Sequence, residues 1–206
     1  MYSLLSGLYD YLTQKPSYKI LVCGLDNSGK TTLLEQVKKM HGQKYMDFKK
    51  ITSTIGLNIC KLEKSNGEFT LWDVGGQVVL RKLWEKYFNE AHGLIFVIDG
   101  ADDMRLPEVK ETLHHVFTTQ PSHDLESVNT TTAFDQLPVL FLLNKQDSKG
   151  FKGVDFVTER TNLGHLLTSA QRRNSESMVM AVSAIDTQGI EGALAWIMAA
   201  VSESSK

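Results

Sequence analysis

Four short runs of the chain are apolar without a break: Ile20-Leu21-Val22-Cys23, Leu94-Ile95-Phe96-Val97-Ile98, Val139-Leu140-Phe141-Leu142-Leu143 and Met178-Val179-Met180-Ala181-Val182. Continuous apolarity over so few residues is the pattern of parallel strands covered on both faces. Between and after them the period changes. Leu106, Val109, Leu113, Val116 and Phe117 recur at helical spacing, as do Ile190, Ala193, Leu194, Ile197 and Val201, and Thr31 to Val37 reads as a further helix. One pair of strands breaks the alternation. The segments Leu57 to Leu62 and Phe69 to Trp72 flank Ser65-Asn66-Gly67, and Asn-Gly is a hairpin signal, so these two run antiparallel. The sum is an α/β fold: a doubly wound, mostly parallel six-stranded sheet with helices on both faces and one antiparallel strand from the hairpin.

Two regions fall outside this rhythm. Leu4, Leu5, Leu8 and Leu12, with tyrosines at 2, 9 and 11, predict an amphipathic helix ending near Pro16, too short to span a bilayer. From Gln120 to Gln136 the chain is polar and aperiodic, a surface loop without an assignable role. The organisation expected is an N-terminal helix over 1–16 and one domain over 17–206, with a polar insertion at about 120–137.

Composition narrows the classes. A net charge of -2 with 22% charged residues gives no basic field for nucleic acid. Cys23 and Cys60 sit inside strand-like runs with no metal-binding spacing, so they read as buried free thiols in a reducing compartment. There is no run of 18 apolar residues and no basic secretory leader, and the expected location is the cytosol.

The chemistry begins directly after the first run. Gly24-Leu25-Asp26-Asn27-Ser28-Gly29-Lys30-Thr31 has the GxxxxGK[ST] form between a strand and a helix. Its glycines let backbone N–H groups of Asp26, Asn27, Ser28 and Gly29, with the helix N-terminus through Thr32, face an anion, and Lys30 adds a point charge. The Thr31 hydroxyl is the expected Mg²⁺ ligand. Glycine-rich turns are common, but the whole motif in this setting makes the bland reading weak.

Trp72-Asp73-Val74-Gly75-Gly76-Gln77 forms the second cluster. Asp73 is placed to hold magnesium through a water, Gly76 to offer its N–H to a γ-phosphate, and neutral Gln77 to orient an attacking water. A Gly-Gly turn alone is a plain loop. After a phosphate loop, with Thr52-Ser53-Thr54 between, it becomes a candidate switch, in which Thr54 joins the metal only when a γ-phosphate is present.

The third cluster reads the base. The Asp147 carboxylate of Asn144-Lys145-Gln146-Asp147 can accept from both N1–H and the exocyclic amine of guanine, donors that adenine lacks there. A buried carboxylate left unpaired by the wrong base costs several kcal/mol, so discrimination of about 10⁴ is expected. Asn144 is expected to brace the loops and meet the base, and the Lys145 stem to lie over the ring. Ser183-Ala184-Ile185 is expected to set the Ala184 N–H on the guanine carbonyl.

These residues resemble the small GTPases, and within them the Arf-like branch, over roughly Tyr18 to Ser202. The branch is marked by Thr54-Ile55-Gly56-Leu57-Asn58, by Trp72 to Gln77 continuing into Leu83-Trp84-Glu85-Lys86-Tyr87-Phe88, and by Asn144 to Asp147; the opening Met1 to Tyr9 is similar to the Arf-related protein subgroup. The resemblance implies a monomeric GTP/GDP switch with Mg²⁺ that hydrolyses GTP slowly and meets a nucleotide exchange factor, an activating protein and effectors. It implies effector contact around Leu57, Trp72 and Tyr87. It further implies a cytoplasmic protein that becomes peripheral on Golgi (trans-Golgi) membrane in the GTP state and recruits effectors in vesicle and protein transport. Residues 1–15 would touch that membrane once the sliding hairpin expels the N-terminal helix, with an acetylated Met1, read by an integral membrane protein, as second anchor. Three departures stand out: Tyr2 where Arf proteins carry a myristoylated Gly, Ser53 in place of Pro, and Leu57 in place of Phe.

Two other classes remain. A GTP-dependent scaffold with negligible hydrolysis shares every nucleotide contact and differs only at Gln77; an ATP-using phosphoryl transferase is disfavoured by Asp147. No residue is assignable as a built-in arginine finger. His114-His115 point about 100° apart on a helix and read as surface or core-edge residues rather than metal ligands, and Arg172-Arg173 as a solvated turn.

Overall fold

The computed structural model describes residues 15–118, 137–168 and 175–204. The N-terminal helix, the polar stretch from 120 to 136 and Arg172-Arg173 lie outside the described residues.

Strand β1 (Ser17–Cys23) leads through the phosphate loop into helix α1 (Lys30–Met40). The hairpin follows as β2 (Leu57–Lys64) and β3 (Gly67–Val74), then two short helices, α2 (Val78–Arg81) and α3 (Trp84–Phe88). After β4 (Gly93–Asp99) come α4 (Leu106–Thr118), β5 (Val139–Asn144), α5 (Val154–Thr161), α6 (Leu163–Thr168), β6 (Ser177–Ala181) and α7 (Ile190–Ser204). The sheet order is β2-β3-β1-β4-β5-β6; β2 is antiparallel to β3 and every other pair is parallel. The hairpin reverses over Ser65 and Asn66, since Lys64 already pairs with Gly67.

Two apolar layers enclose the sheet, and the strand alternation deals residues to both. Ile20 and Val22 face the layer of α1 and α7 with Leu34, Val37, Ile197 and Val201. Leu21 and Cys23 face the opposite layer with Trp84, Phe96, Leu113 and Phe141. Both cysteines are free and buried, Cys23 in one layer and Cys60 in the other. β6 departs from the expectation of a strand covered on both faces: its residues are half-buried and Met178 is 37% exposed. The reason is its place at the sheet edge, where it pairs with β5 alone. Among the described residues no helix is long and apolar enough to cross a membrane.

This order puts the carboxyl ends of β1, β3, β4 and β5 at one rim. Strand order reverses between β1 and β4, where a doubly wound sheet opens a crevice.

Candidate functional site

At that rim lies a cleft of about 360 Å³, lined among others by Asp26, Asn27, Gly29, Lys30, Thr31, Thr32, Thr54, Gly76, Gln77 and Lys145. The structure thus gathers the phosphate-loop residues, Thr54 and the Gly76-Gln77 pair around one space, with Lys145 at its border. Phe48 and Ile51 also line it, from the segment between α1 and β2.

The loop's shape has a steric cause. Gly29 has φ 91°, in the left-handed region, and a Cβ there would run into the Asn144 amide. Asn27, at φ 61°, adopts the same region, which asparagine tolerates better than most residues. Lys30 is 6% exposed, and its Nζ donates to the carbonyls of Gly24 at 2.9 Å and Leu25 at 2.6 Å. Burial holds its pKa below the ordinary lysine value, against the opposing pull of Asp73.

Beneath the cleft three oxygens converge. Thr31 Oγ1 donates to Asp73 Oδ2 at 2.7 Å and lies 2.6 Å from Thr54 Oγ1, which is itself 3.5 Å from Asp73 Oδ2. Asp73 is fully buried and its Oδ1 has no partner. Burial raises its pKa to about 6, with Thr31 and Lys30 pulling the other way. Two hydroxyls and a carboxylate with one unpartnered oxygen form a hard-donor set that fits Mg²⁺, which Thr31 and Thr54 would hold directly and Asp73 through water. Among the described residues no cluster of His, Cys, Asp and Glu offers another metal site, and His114 and His115 are both exposed on α4.

Gly76 packs against the phosphate loop so closely that a Cβ would meet Asp26 N and Leu25 C at 2.5 Å. Gln77 follows as the extended residue that caps the N-terminus of α2, half-exposed at the cleft.

At the base-reading end, Asn144 is 1% exposed and ties two loops: its Nδ2 donates to Ser28 O at 2.8 Å, and its Oδ1 accepts from Ala184 N at 3.0 Å. The Ala184 N–H is therefore engaged within the protein. Ser183 is fully buried and its Oγ accepts from Asp186 N at 3.0 Å, so it shapes its loop from behind rather than lining the cleft. Lys145 has φ 66°, a strained value for lysine, and its Nζ pairs with Asp99 at 2.6 Å, which fixes the direction of its stem. Asp147 is exposed. Base selection by a buried carboxylate is the expectation from sequence; the loop after β5 instead carries Asp147 on the surface, so a bound base itself must exclude the water.

The sequence pointed to neither Arg81, Arg105 nor Glu108, the charged residues that bind these parts together around Asp26. Arg105 Nη2 donates to Asp26 Oδ1 at 2.8 Å and its Nη1 to Asp26 O at 2.9 Å. Arg81 Nε donates to Gly76 O at 3.0 Å, and its Nη2 to Glu108 at 2.7 Å. Burial alone would raise the Asp26 pKa, but Arg105 and Arg81 hold it below the usual carboxylate range. Glu108 is held low chiefly by its hydrogen bond from Arg81. Partners 27 and 79 positions apart leave no local signal.

A sheet of this order, with a phosphate loop after β1, a convergent Thr-Thr-Asp set and a loop after β5 braced by Asn144, defines a phosphate-loop GTPase. Comparison with known proteins agrees. The chain matches the ADP-ribosylation factor family over residues 4–201. It is 39% identical to ADP-ribosylation factor-related protein 1 of Rattus norvegicus and of Homo sapiens, across 98% of this chain and 93% of theirs. It is 34% identical to ADP-ribosylation factor-like protein 3 of Saccharomyces cerevisiae, across 100% of this chain and 96% of that one. Among solved structures it resembles the Arl6 BBS3 small GTPase of Trypanosoma brucei with the bound nucleotide analogue GppNp, at TM-score 0.71 and 28% identity, covering 92% of this chain and 99% of that one. The chain belongs to the ADP-ribosylation factor family. It is a GTP-binding switch that hydrolyses GTP, uses Mg²⁺, and interacts as its family does with exchange factors, activating proteins and effectors.

Proposed function

We propose that this switch cycles on and off a Golgi-type membrane, trans-Golgi in the GTP state, and recruits effectors for vesicle transport as a cytoplasmic monomer. One observation supports the switching reading above others: Thr54, from the loop before β2, sits 2.6 Å from Thr31 and beside Asp73, so that loop closes over the same floor that anchors the phosphates. A γ-phosphate holds such a loop; its loss releases it.

In this reading Gln77 orients water in line with the γ-phosphorus, the γ-phosphate leaves as inorganic phosphate, and GDP remains. Lys30 balances charge on the bridging and γ oxygens, and the Gly76 N–H faces the γ-phosphate. Thr31 and Thr54, with Asp73 through water, would hold magnesium, which would supply electrostatic stabilisation. No arginine lines the cleft among the described residues. An activating protein that supplies one is worth about 10³ to 10⁵, so turnover without it is slow. Asp26, Asn27, Ser28, Gly29 and Thr32 cradle phosphates by their backbone; Asp147 and the Lys145 stem meet the base, while Asn144, Ser183 and Ala184 hold the loops around it.

Effector contact is assigned to Leu57, Trp72 and Tyr87. Leu57 is 37% exposed and Tyr87 half-exposed, and Trp72 and Tyr87 meet edge to face at 5.6 Å between centroids. Trp72 itself is nearly buried, under Lys19 at 4.7 Å, so it supports this surface more than it presents itself. The membrane contact rests on residues 1–15 and on the likeness of Met1 to Tyr9 to the Arf-related subgroup. Flotation on liposomes of the full chain and of a chain lacking residues 1 to 16, each with GDP and with a GTP analogue, tests it. Only the full chain with the analogue should float; equal flotation in all four arms would defeat it.

A further inference from the structure

We infer that Arg81 is a positioning residue for GTP hydrolysis. It is the end of a charge chain, Asp26-Arg105-Glu108-Arg81, that mounts the phosphate loop and the Gln77 loop on one face of α4. The inference rests on the reading of Gln77 and Gly76 given above.

A trans peptide fixes each N–H antiparallel to the carbonyl preceding it, so whatever holds a carbonyl aims the next N–H. Gly75 O accepts from Trp84 Nε1 at 2.9 Å, which aims the Gly76 N–H. Gly76 O accepts from Arg81 Nε at 3.0 Å, which aims the Gln77 N–H and the start of the Gln77 side chain. Two adjacent glycines have the freest backbone in the repertoire, so these two anchors carry the positional information that side chains would otherwise supply.

Arg81 is in turn held. Its Nη2 donates to Glu108 Oε1 at 2.7 Å and its Nη1 to Thr112 Oγ1 at 3.2 Å, both from α4. Glu108 Oε2 accepts from Arg105 Nε at 3.1 Å, and Arg105 forks onto the carbonyl and carboxylate of Asp26. Arg81 also lies 3.9 Å from Asp26 Oδ1, which closes the chain into a ring. Only arginine can spread five donors in a plane over a backbone carbonyl, a carboxylate and a hydroxyl at once.

Magnitudes separate this role from a structural one. The side chains of Asp26, Arg81, Arg105 and Glu108 are 17% to 37% exposed, so solvent screens each link and removing one costs the fold little. A catalytic group displaced by about 1 Å loses on the order of 10² in rate. The chain therefore serves rate far more than stability.

The test is single-turnover GTP hydrolysis with Mg²⁺, alongside GDP dissociation and thermal melting, on the full chain. Arg81→Ala should slow hydrolysis tenfold or more while GDP release stays within twofold and the fold survives. Arg81→Lys, which keeps the charge but not the fork, should not restore the rate. Glu108→Gln should slow it less, and Arg81→Ala with Glu108→Gln should be no slower than Arg81→Ala alone. Parent-like hydrolysis in Arg81→Ala, full rescue by lysine, or additive losses in the double variant would overturn the inference. Gln77→Leu is the separating arm. If it hydrolyses as the parent does, the Gln77 reading fails; if it is slow while Arg81→Ala is not, only the positioning role fails.

Discussion

The two ends of the nucleotide cleft are built on opposite plans. At the phosphate end Lys30 and Asp73 are buried, Thr31 and Thr54 half-buried, and all are already bonded: Lys30 to two carbonyls, Thr31 to Asp73 and Thr54, and Asp73 with one oxygen orphaned in the interior. At the base end the framework is buried but the reading group is not, since Asn144 is locked between Ser28 and Ala184 while Asp147 stands in solvent. The first plan stores electrostatic tension that a ligand relieves, which gives affinity and a switch. The second holds a rigid frame on the same loop as a solvated carboxylate, which on the proposed reading gives selectivity at little cost to the empty protein.

The largest effect expected from breaking this contrast is at Asp147. Asp147→Asn replaces an acceptor with a donor where guanine presents N–H groups, and GDP affinity should fall by about 10³ or more. Xanthine carries a carbonyl at the 2-position and should regain binding. Competition titration of GDP, XDP and ADP checks this, and undiminished guanine preference would show that selectivity lies elsewhere. Because Asp147 is exposed, thermal stability without nucleotide should stay unchanged, unlike the outcome of a substitution at Gly29 or Asp73.

Gly29→Ala comes next because it strikes both ends together. A Cβ at φ 91° costs about 1–2 kcal/mol in backbone strain. It also displaces the Asn144 amide and so the bond to Ser28 O, about 1–3 kcal/mol when buried. As far as nucleotide binding depends on this geometry, the sum corresponds to roughly 10² to 10³ in GDP affinity. Parent-like affinity would mean that the brace does not join the two ends.

How much of this was legible before folding depends on the range of the cause. The strands, the hairpin and the phosphate loop follow from local rules: apolar runs, Asn-Gly, and glycines at fixed spacing. Thr31, Asp73 and Thr54 could be named individually because each sits at a fixed offset in its motif, yet their mutual distances come from β1 and β3 pairing Val22 with Asp73. The half-exposure of β6 was not legible, since composition does not say which strand takes the edge. Arg81, Arg105 and Glu108 were wholly hidden. Charged residues on helices usually mean a solvated face, and only the packing of α4 against the cleft turns three of them toward Gly76 and Asp26.

A smaller effect, at Asp73, tests the tension assigned to the phosphate end. Its pKa is raised in the folded protein to about 6, so its contribution to stability is fully present below about pH 4 and lost as the pH climbs through 6. Above that the ionised group costs on the order of 3 kcal/mol, which a cation opposes. Melting of GDP-loaded protein with Mg²⁺ and with a chelator, from pH 5 to 8, should show Mg²⁺ stabilisation growing through pH 6. Asp73→Asn should lose that growth and, in chelator at pH 7, melt above the parent. Parallel pH curves for parent and variant would remove the tension from the account.

The smallest effect is at Ser28, where the two ends meet. Its carbonyl accepts the Asn144 amide, whereas its hydroxyl is buried, 1% exposed as a residue, and without a partner. An unsatisfied buried hydroxyl costs about 1–3 kcal/mol, so Ser28→Ala removes a penalty and leaves the backbone contact in place. The variant should bind GDP within threefold of the parent and melt at the same temperature or slightly higher. Any larger loss of affinity would mean that the hydroxyl itself serves the ligand. The phosphate end would then read its substrate with side chains as the base end does, and the division between a buried backbone cradle and an exposed reading group would no longer hold.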